Sequence, residues 1–227
     1  MAITHHRLPV EQGELPLTIA RAGGAGAAVV IVPSAFGVGP DLEAQMEELA
    51  TDASIVVAID PFFRGDGGPA PYDDRPRAMA RIHEIDRQRA YRDLRAAIDW
   101  VRDEHRVPSV LLVGICFGGW FALHAAADRA VDGVITWHGS RMETCLERAA
   151  DVRCTMRLHF GSDDPIVPPE ALDAIRRAFA DRSDVRIVVH DGATHGFSHR
   201  GAQRAYHPDA ERSGMDSVRE LIARARR

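Results

Sequence analysis

The sequence predicts an α/β protein: a mostly parallel central sheet with helices on both faces. Short β-branched apolar runs alternate with longer amphipathic stretches over most of the chain, and strand-helix-strand repetition implies parallel strands joined by crossover helices. The runs are almost continuously hydrophobic, as strands covered on both faces must be. With 227 residues, 45% of them hydrophobic, the chain can bury one sizeable core, so a single domain over 1–227 is expected.

In order, Leu15–Ala20 reads as an additional N-terminal edge strand and Ala27–Val32 as the first long buried strand. A helical pattern covers Asp41–Ala53, a strand Ser54–Ile59, and a helix Arg87–Glu104. Strand Ser109–Val113, helix Phe117–Ala127 and strand Val131–Trp137 follow. Strand Met156–Phe160, helix Pro169–Phe179, strand Val185–His190 and a helix near Ala210–Arg226 complete the series. Two stretches lack either period and read as loops: Arg64–Arg77, rich in Gly, Pro and charge, and Gly139–Asp151. Alternation resumes after the first, which makes it a loop within a domain rather than a boundary, and loops of that length are often functional.

The bulk properties narrow the chemistry. A net charge of −5 provides no basic field for nucleic acid or an anionic membrane. All 28 basic residues are arginine, so Schiff-base and lysine-base chemistry are excluded. Cys116, Cys145 and Cys154 match neither a disulfide framework nor a zinc motif, which fits a reducing, cytoplasmic compartment. The first residues, MAITHH, show no basic and apolar leader pattern. No apolar run approaches the roughly 20 residues that span a bilayer.

The most informative segment is Gly114-Ile115-Cys116-Phe117-Gly118-Gly119. Gly-x-Cys-x-Gly directly after a strand and directly before a helix demands a sharp turn. Such a turn exposes the Cys116 sulfur beyond the strand ends and sets it at a helix N-terminus, where backbone N–H groups favour thiolate. An isolated glycine-rich turn holding a buried, inert cysteine would share the motif. Two later segments favour a nucleophile. Gly161-Ser162-Asp163-Asp164-Pro165 places a carboxylate after a strand, Asp164 first and Asp163 second, although either could simply shape a turn or cap a helix. Asp191-Gly192-Ala193-Thr194-His195-Gly196-Phe197 places an imidazole after the next strand, able to take and return a proton. His138, His190 and His199 are further histidines that could lie near it. An oxyanion hole needs two N–H donors: Phe117, next to the nucleophile, and Ala35, with Phe36 as its alternative.

These residues together resemble the dienelactone hydrolase (carboxymethylenebutenolidase) family. The matching pieces are Phe36-Gly37-Val38, Gly114 to Gly119, Gly161 to Pro168 and His195-Gly196-Phe197, in the family's order, over about residues 15 to 226. The resemblance implies an α/β-hydrolase fold and a Cys116–His195–Asp164 triad. It implies ester or lactone hydrolysis through an acyl-thioenzyme, with no metal and no organic cofactor. The expected partner is a small-molecule ester or lactone, and the expected assembly a monomer or homodimer. The chain departs from the family pattern at Ser34, where the best-known members carry a glutamate associated with thiol activation. Ser34 and Phe36 are candidate substrate contacts, and Arg64 and Arg200 candidate anion anchors. Two alternatives remain: a non-catalytic thiol sensor or binding module on the same scaffold, and hydrolysis at a halogenated or otherwise activated carbon.

Overall fold

The computed structural model describes residues 2–22, 26–53 and 55–225; Ser54 and Arg226, assigned above to a strand and a helix, lie outside the described residues. The chain packs as two compact units, Met1–Leu111 with Arg219–Arg227, and Leu112–Val218.

The first unit opens with a hairpin, β1 (Ala2–Val10) and β2 (Gly13–Arg21), paired antiparallel from Ala2↔Arg21 to Val10↔Gly13. Gln12 at φ 60° closes its two-residue turn. β2 alternates as a half-buried strand should, with Leu15, Leu17 and Ile19 inward. β3 (Ala28–Val32) and β4 (Ile55–Ile59) are buried at every position and run parallel. The strand order is β1-β2-β4-β3, with β2 antiparallel to β4. This corrects one expectation: the strand around Leu15–Ala20 is internal, and β1 is the edge. The sequence Thr4-His5-His6-Arg7 carries no apolar alternation because these side chains are exposed; backbone pairing with β2 makes the strand.

α1 (Pro40–Ala50) packs on β2 and β4, and α3 (Arg87–His105) on β1 and β3. A helix also occupies part of the segment read as the loop Arg64–Arg77: α2 spans Arg75–Glu84. Its Asp74 side chain accepts from the Arg77 N–H at 3.2 Å, and Pro76 sits in the first turn, where its missing N–H is harmless. The proline that suggested a loop is a helix-start signal.

β5 (Val110–Ile115) carries the chain into the second unit, where the order is β5-β6-β7-β8. β6 (Gly133–Trp137), β7 (Thr155–Gly161) and β8 (Val185–His190) pair in parallel. α4 (Gly118–Ala127) is apolar nearly all round and almost wholly buried, packing on β6. α5 (Pro169–Ala178) and α6 (Pro208–Ala225) follow the pattern expected of them. The stretch Gly139–Asp151 is not all loop either: Met142–Asp151 forms 3₁₀ turns, kinked at Cys145 and packed on α4 and α5. Among the described residues no helix is long and apolar enough to cross a membrane.

Candidate active site

The turn from β5 into α4 is as tight as its glycines suggest. Cys116 stands at φ +56°, in the left-handed region that costs a side-chain-bearing residue energy and persists only where surroundings hold it. Three backbone hydrogen bonds do so. The Cys116 N–H donates to the Trp137 carbonyl at 3.1 Å, and its own carbonyl accepts from Gly119 at 3.0 Å and Ser140 at 2.8 Å. Gly114 is what lets strand and helix pass: a Cβ there would lie 2.5 Å from the Gly118 carbonyl oxygen. Phe117, buried with its ring edge-on to Phe121, is the N-cap of α4.

The loops after β7 and β8 bring the other two groups to that sulfur. His195 Nε2 lies 3.1 Å from Cys116 Sγ, and His195 Nδ1 lies 2.8 Å from Asp164 Oδ2. With Nδ1–H donated to the carboxylate, Nε2 faces the sulfur. Asp164, its side chain fully buried, spends its second oxygen on its own loop: Oδ1 accepts from Ile166 N at 2.8 Å and Val167 N at 3.3 Å. One carboxylate therefore both shapes the turn and orients the ring. Asp163 does neither; it is exposed and accepts from the Ser162 hydroxyl at 2.8 Å. Burial pulls the His195 pKa down, but the Cys116 charge and the hydrogen bonds to Asp164 and Cys116 outweigh it and raise it to about 10. Both contacts favour the charged form of the ring.

His138 also sits at this site. It follows β6 directly, is fully buried at φ +42°, and its ring meets those of His195, Phe197 and His199 edge-on at 4.8–5.0 Å. Its Nε2 is 2.9 Å from Ser198 Oγ. Burial first, then the charges of His195 and His199, hold its pKa well below the ordinary value, which favours the neutral ring. The signal available in sequence was its place at the carboxyl end of the strand after the elbow helix. His190 stacks on His159 and meets Phe197 edge-on at 5.4 Å, one ring removed from His138.

The remaining predicted residues have the following surroundings. In the first unit, buried Ser34 uses its hydroxyl to accept from the Phe36 N–H at 3.3 Å, closing a local turn. The Ala35 carbonyl accepts from the buried Arg81 guanidinium at 3.2 Å, and Phe36 packs edge-on against Tyr72. Arg64 forms a two-pronged pair with Asp93 and donates to the Glu11 and Gln12 carbonyls. A cavity of about 310 Å³ lies beside it, lined among others by Arg81, Arg89, Asp66, Glu84 and Asp86. In the second unit, Arg200 Nε donates to Glu211 at 2.7 Å, and Glu211 also accepts from the Tyr206 hydroxyl.

The dienelactone hydrolase family model matches residues 17–225. The chain belongs to the dienelactone hydrolase family. It is 26% identical over 208 residues to a carboxymethylenebutenolidase of Pseudomonas sp. (strain P51), covering 89% of this chain and 87% of that one. It is 28% identical over 175 residues to the carboxymethylenebutenolidase of Pseudomonas putida, covering 75% and 74%. Among solved structures, a dienelactone hydrolase-like promiscuous phosphotriesterase from metagenomic libraries superposes with a TM-score of 0.82 at 22% identity, over 99% of both chains. The dienelactone hydrolase of Anabaena variabilis gives 0.68 at 18% identity, over 99% of this chain and 96% of that one. These structural likenesses establish the α/β-hydrolase fold, and the family match makes the chain a hydrolase of this family.

Proposed function

We propose that this dienelactone hydrolase family member cleaves a small ester or lactone through an acyl-thioester on Cys116. The observation that carries the reading is the line of contacts from Cys116 Sγ through His195 to Asp164, at 3.1 and 2.8 Å, with the sulfur on a strained turn. Nucleophile, base and orienter at such distances are what covalent acyl transfer needs.

The thiolate attacks the carbonyl carbon, and the developing oxyanion takes the Phe117 N–H as a donor. The protonated His195 gives its Nε2 proton to the departing alkoxide, leaving Cys116 acylated and the imidazole neutral. That imidazole next removes a proton from water as it attacks the thioester; sulfur leaves as thiolate and the imidazolium is restored. Asp164 keeps its hydrogen bond to Nδ1 throughout, which fixes the tautomer. Because the chain carries Ser34 where a glutamate stands in the family, the reading assigns thiol deprotonation to His195 alone. A thiolate suits esters and enol-lactones whose leaving groups are stable; the names of the carboxymethylenebutenolidase relatives support a lactone.

The test is steady-state hydrolysis of p-nitrophenyl acetate and a panel of enol-lactones, with mass spectrometry of acid-quenched protein. Turnover, a transient acyl adduct on Cys116 and loss of both in Cys116→Ala support the reading. Wild-type turnover in Cys116→Ala overturns it, and ready alkylation of Cys116 with no turnover of any ester favours the thiol-sensor alternative.

A further inference from the structure

The mechanism above uses two of three soft or borderline donors that meet at the elbow. Cys116, His195 and His138 each offer one ligand atom, and all three atoms lie within 4.8 Å of one another. We propose that these three side chains form a site for one zinc ion, whose occupation caps the sulfur and reversibly blocks hydrolysis.

The donor set comes first. One thiolate and two neutral imidazoles are a combination that selects zinc over magnesium or calcium, which prefer oxygen ligands. A tetrahedral zinc with bonds of about 2.3 Å to sulfur and 2.0–2.1 Å to nitrogen spaces its donors roughly 3.3–3.6 Å apart. The Cys116–His195 pair already stands at 3.1 Å. Bringing His138 into the set needs a closure of about 1 Å.

His138 is prepared for the role. A ligating histidine commonly donates its other N–H to an oxygen, which fixes the tautomer. His138 Nε2 meets Ser198 Oγ at 2.9 Å, while its fully buried Nδ1 has no hydrogen-bond partner among the described residues. A buried nitrogen left unpaired is costly, and an incoming cation would satisfy it. The Asp164 carboxylate, hydrogen-bonded to His195 Nδ1, provides the matching outer contact for the second imidazole. Charge closes as well: Zn²⁺ with one thiolate and Asp164 beside it sums to zero.

The binding step balances as a proton exchange. The sulfur and His195 Nε2 share one proton before binding; zinc takes both lone pairs and that proton goes to solvent. Three protein ligands leave a fourth position for water. The geometry alone carries the binding, whereas its effect on hydrolysis rests on the function proposed above.

The experiment titrates ZnCl2 into the full chain by calorimetry in two buffers of different ionisation enthalpy, and CoCl2 by absorption. One equivalent bound, about one proton released, and a thiolate-to-cobalt charge-transfer band are expected. Cys116→Ser should abolish the band, and His138→Asn should weaken zinc at least tenfold; asparagine tolerates the left-handed backbone at this position. If His138→Asn does not fold, the Cys116→Ser comparison still decides. Zinc bound without the band, or with equal affinity in both variants, places it on exposed histidines such as His5 and His6 and overturns the proposal. A parallel assay should show ester turnover lost at one equivalent and regained with EDTA; undiminished turnover in the zinc-loaded protein overturns the blocking role. None of the binding readouts needs turnover, so a chain that binds zinc through sulfur and hydrolyses nothing sinks the hydrolase reading and leaves this site standing.

Discussion

Gly161 stands so close to the Ala193 backbone that a Cβ placed on it would lie 2.1 Å from the Ala193 carbonyl oxygen. Gly161 ends β7 and begins the loop of Asp164; Ala193 lies in the loop of His195, after β8. The two loops therefore register against each other through bare backbone, reinforced by the Asp163 N–H donating to the same carbonyl at 3.0 Å. Gly161→Ala must push them apart. The expected cost is about 1–3 kcal/mol of stability in urea unfolding, together with a loss of ester turnover larger than a mere fall in folded fraction accounts for. A variant with unchanged stability and turnover would show that the loops give way freely.

Asp163 and Asp164 are adjacent carboxylates with opposite expectations. Asp164→Asn removes the acceptor that holds His195 Nδ1–H, and with it the tautomer that points Nε2 at sulfur. Turnover should fall by about 10²–10⁴-fold. Asp163→Asn alters only an exposed carboxylate that accepts from the Ser162 hydroxyl and should leave turnover near wild type. Parallel kcat measurements distinguish the two, and a reversed ranking would overturn the assignment of roles.

What was legible in the sequence divides along physical lines. Buried strands such as β3 and β4 show themselves because burial on both faces demands unbroken apolar runs. The elbow shows itself because only glycine admits the approach at Gly114. Asp164 and His195 were reachable by chain order and strand ends, although nothing in the Asp163-Asp164 pair reveals which carboxylate turns inward; the hydrogen bonds to Ile166 and Val167 decide that. β1 was illegible because its Thr4–Arg7 side chains face solvent and its order comes from backbone pairing, which has no residue signature. α2 was hidden by Pro76, and the Met142–Asp151 turns by short 3₁₀ geometry with a kink at Cys145. Arg64 illustrates a general limit: the sequence cannot show that its guanidinium is paired with Asp93, because that pairing joins residues 29 positions apart.

The three cysteines should separate sharply by reactivity. Burial, aided by nearby Glu147 and Glu143, pushes the Cys145 thiol up to about 12, and burial pushes Cys154 up to about 11. The Cys116 sulfur lies 3.1 Å from His195 Nε2, whose protonated form would favour thiolate. Iodoacetamide at pH 7 should therefore label one thiol per chain, at Cys116, as read by peptide mass mapping. His195→Ala should slow that labelling about tenfold or more, since an ordinary thiol is only a few per cent thiolate at this pH. Equal labelling rates in the two proteins would mean that His195 does not stabilise the thiolate.

Acid stability should be governed in part by His159, which is fully buried in β7, with Nδ1 3.0 Å from His190 Nε2 and Nε2 2.9 Å from Ser217 Oγ. Burial, then the charges of His190, Arg186 and Arg157, depress its pKa to about 3. In the unfolded chain a histidine titrates near 6.5. Between those values the unfolded state binds the extra proton, so unfolding free energy rises with pH and is lost as pH falls from about 6.5 towards 3. The slope from this one residue is at most about 1.4 kcal/mol per pH unit. His159→Gln can keep one of the two hydrogen bonds and carries no titrating ring. It should lower stability at pH 7 yet flatten the decline between pH 6 and 4, measured by urea unfolding at a series of pH values. An unchanged slope would show that the ring is already able to charge within the fold.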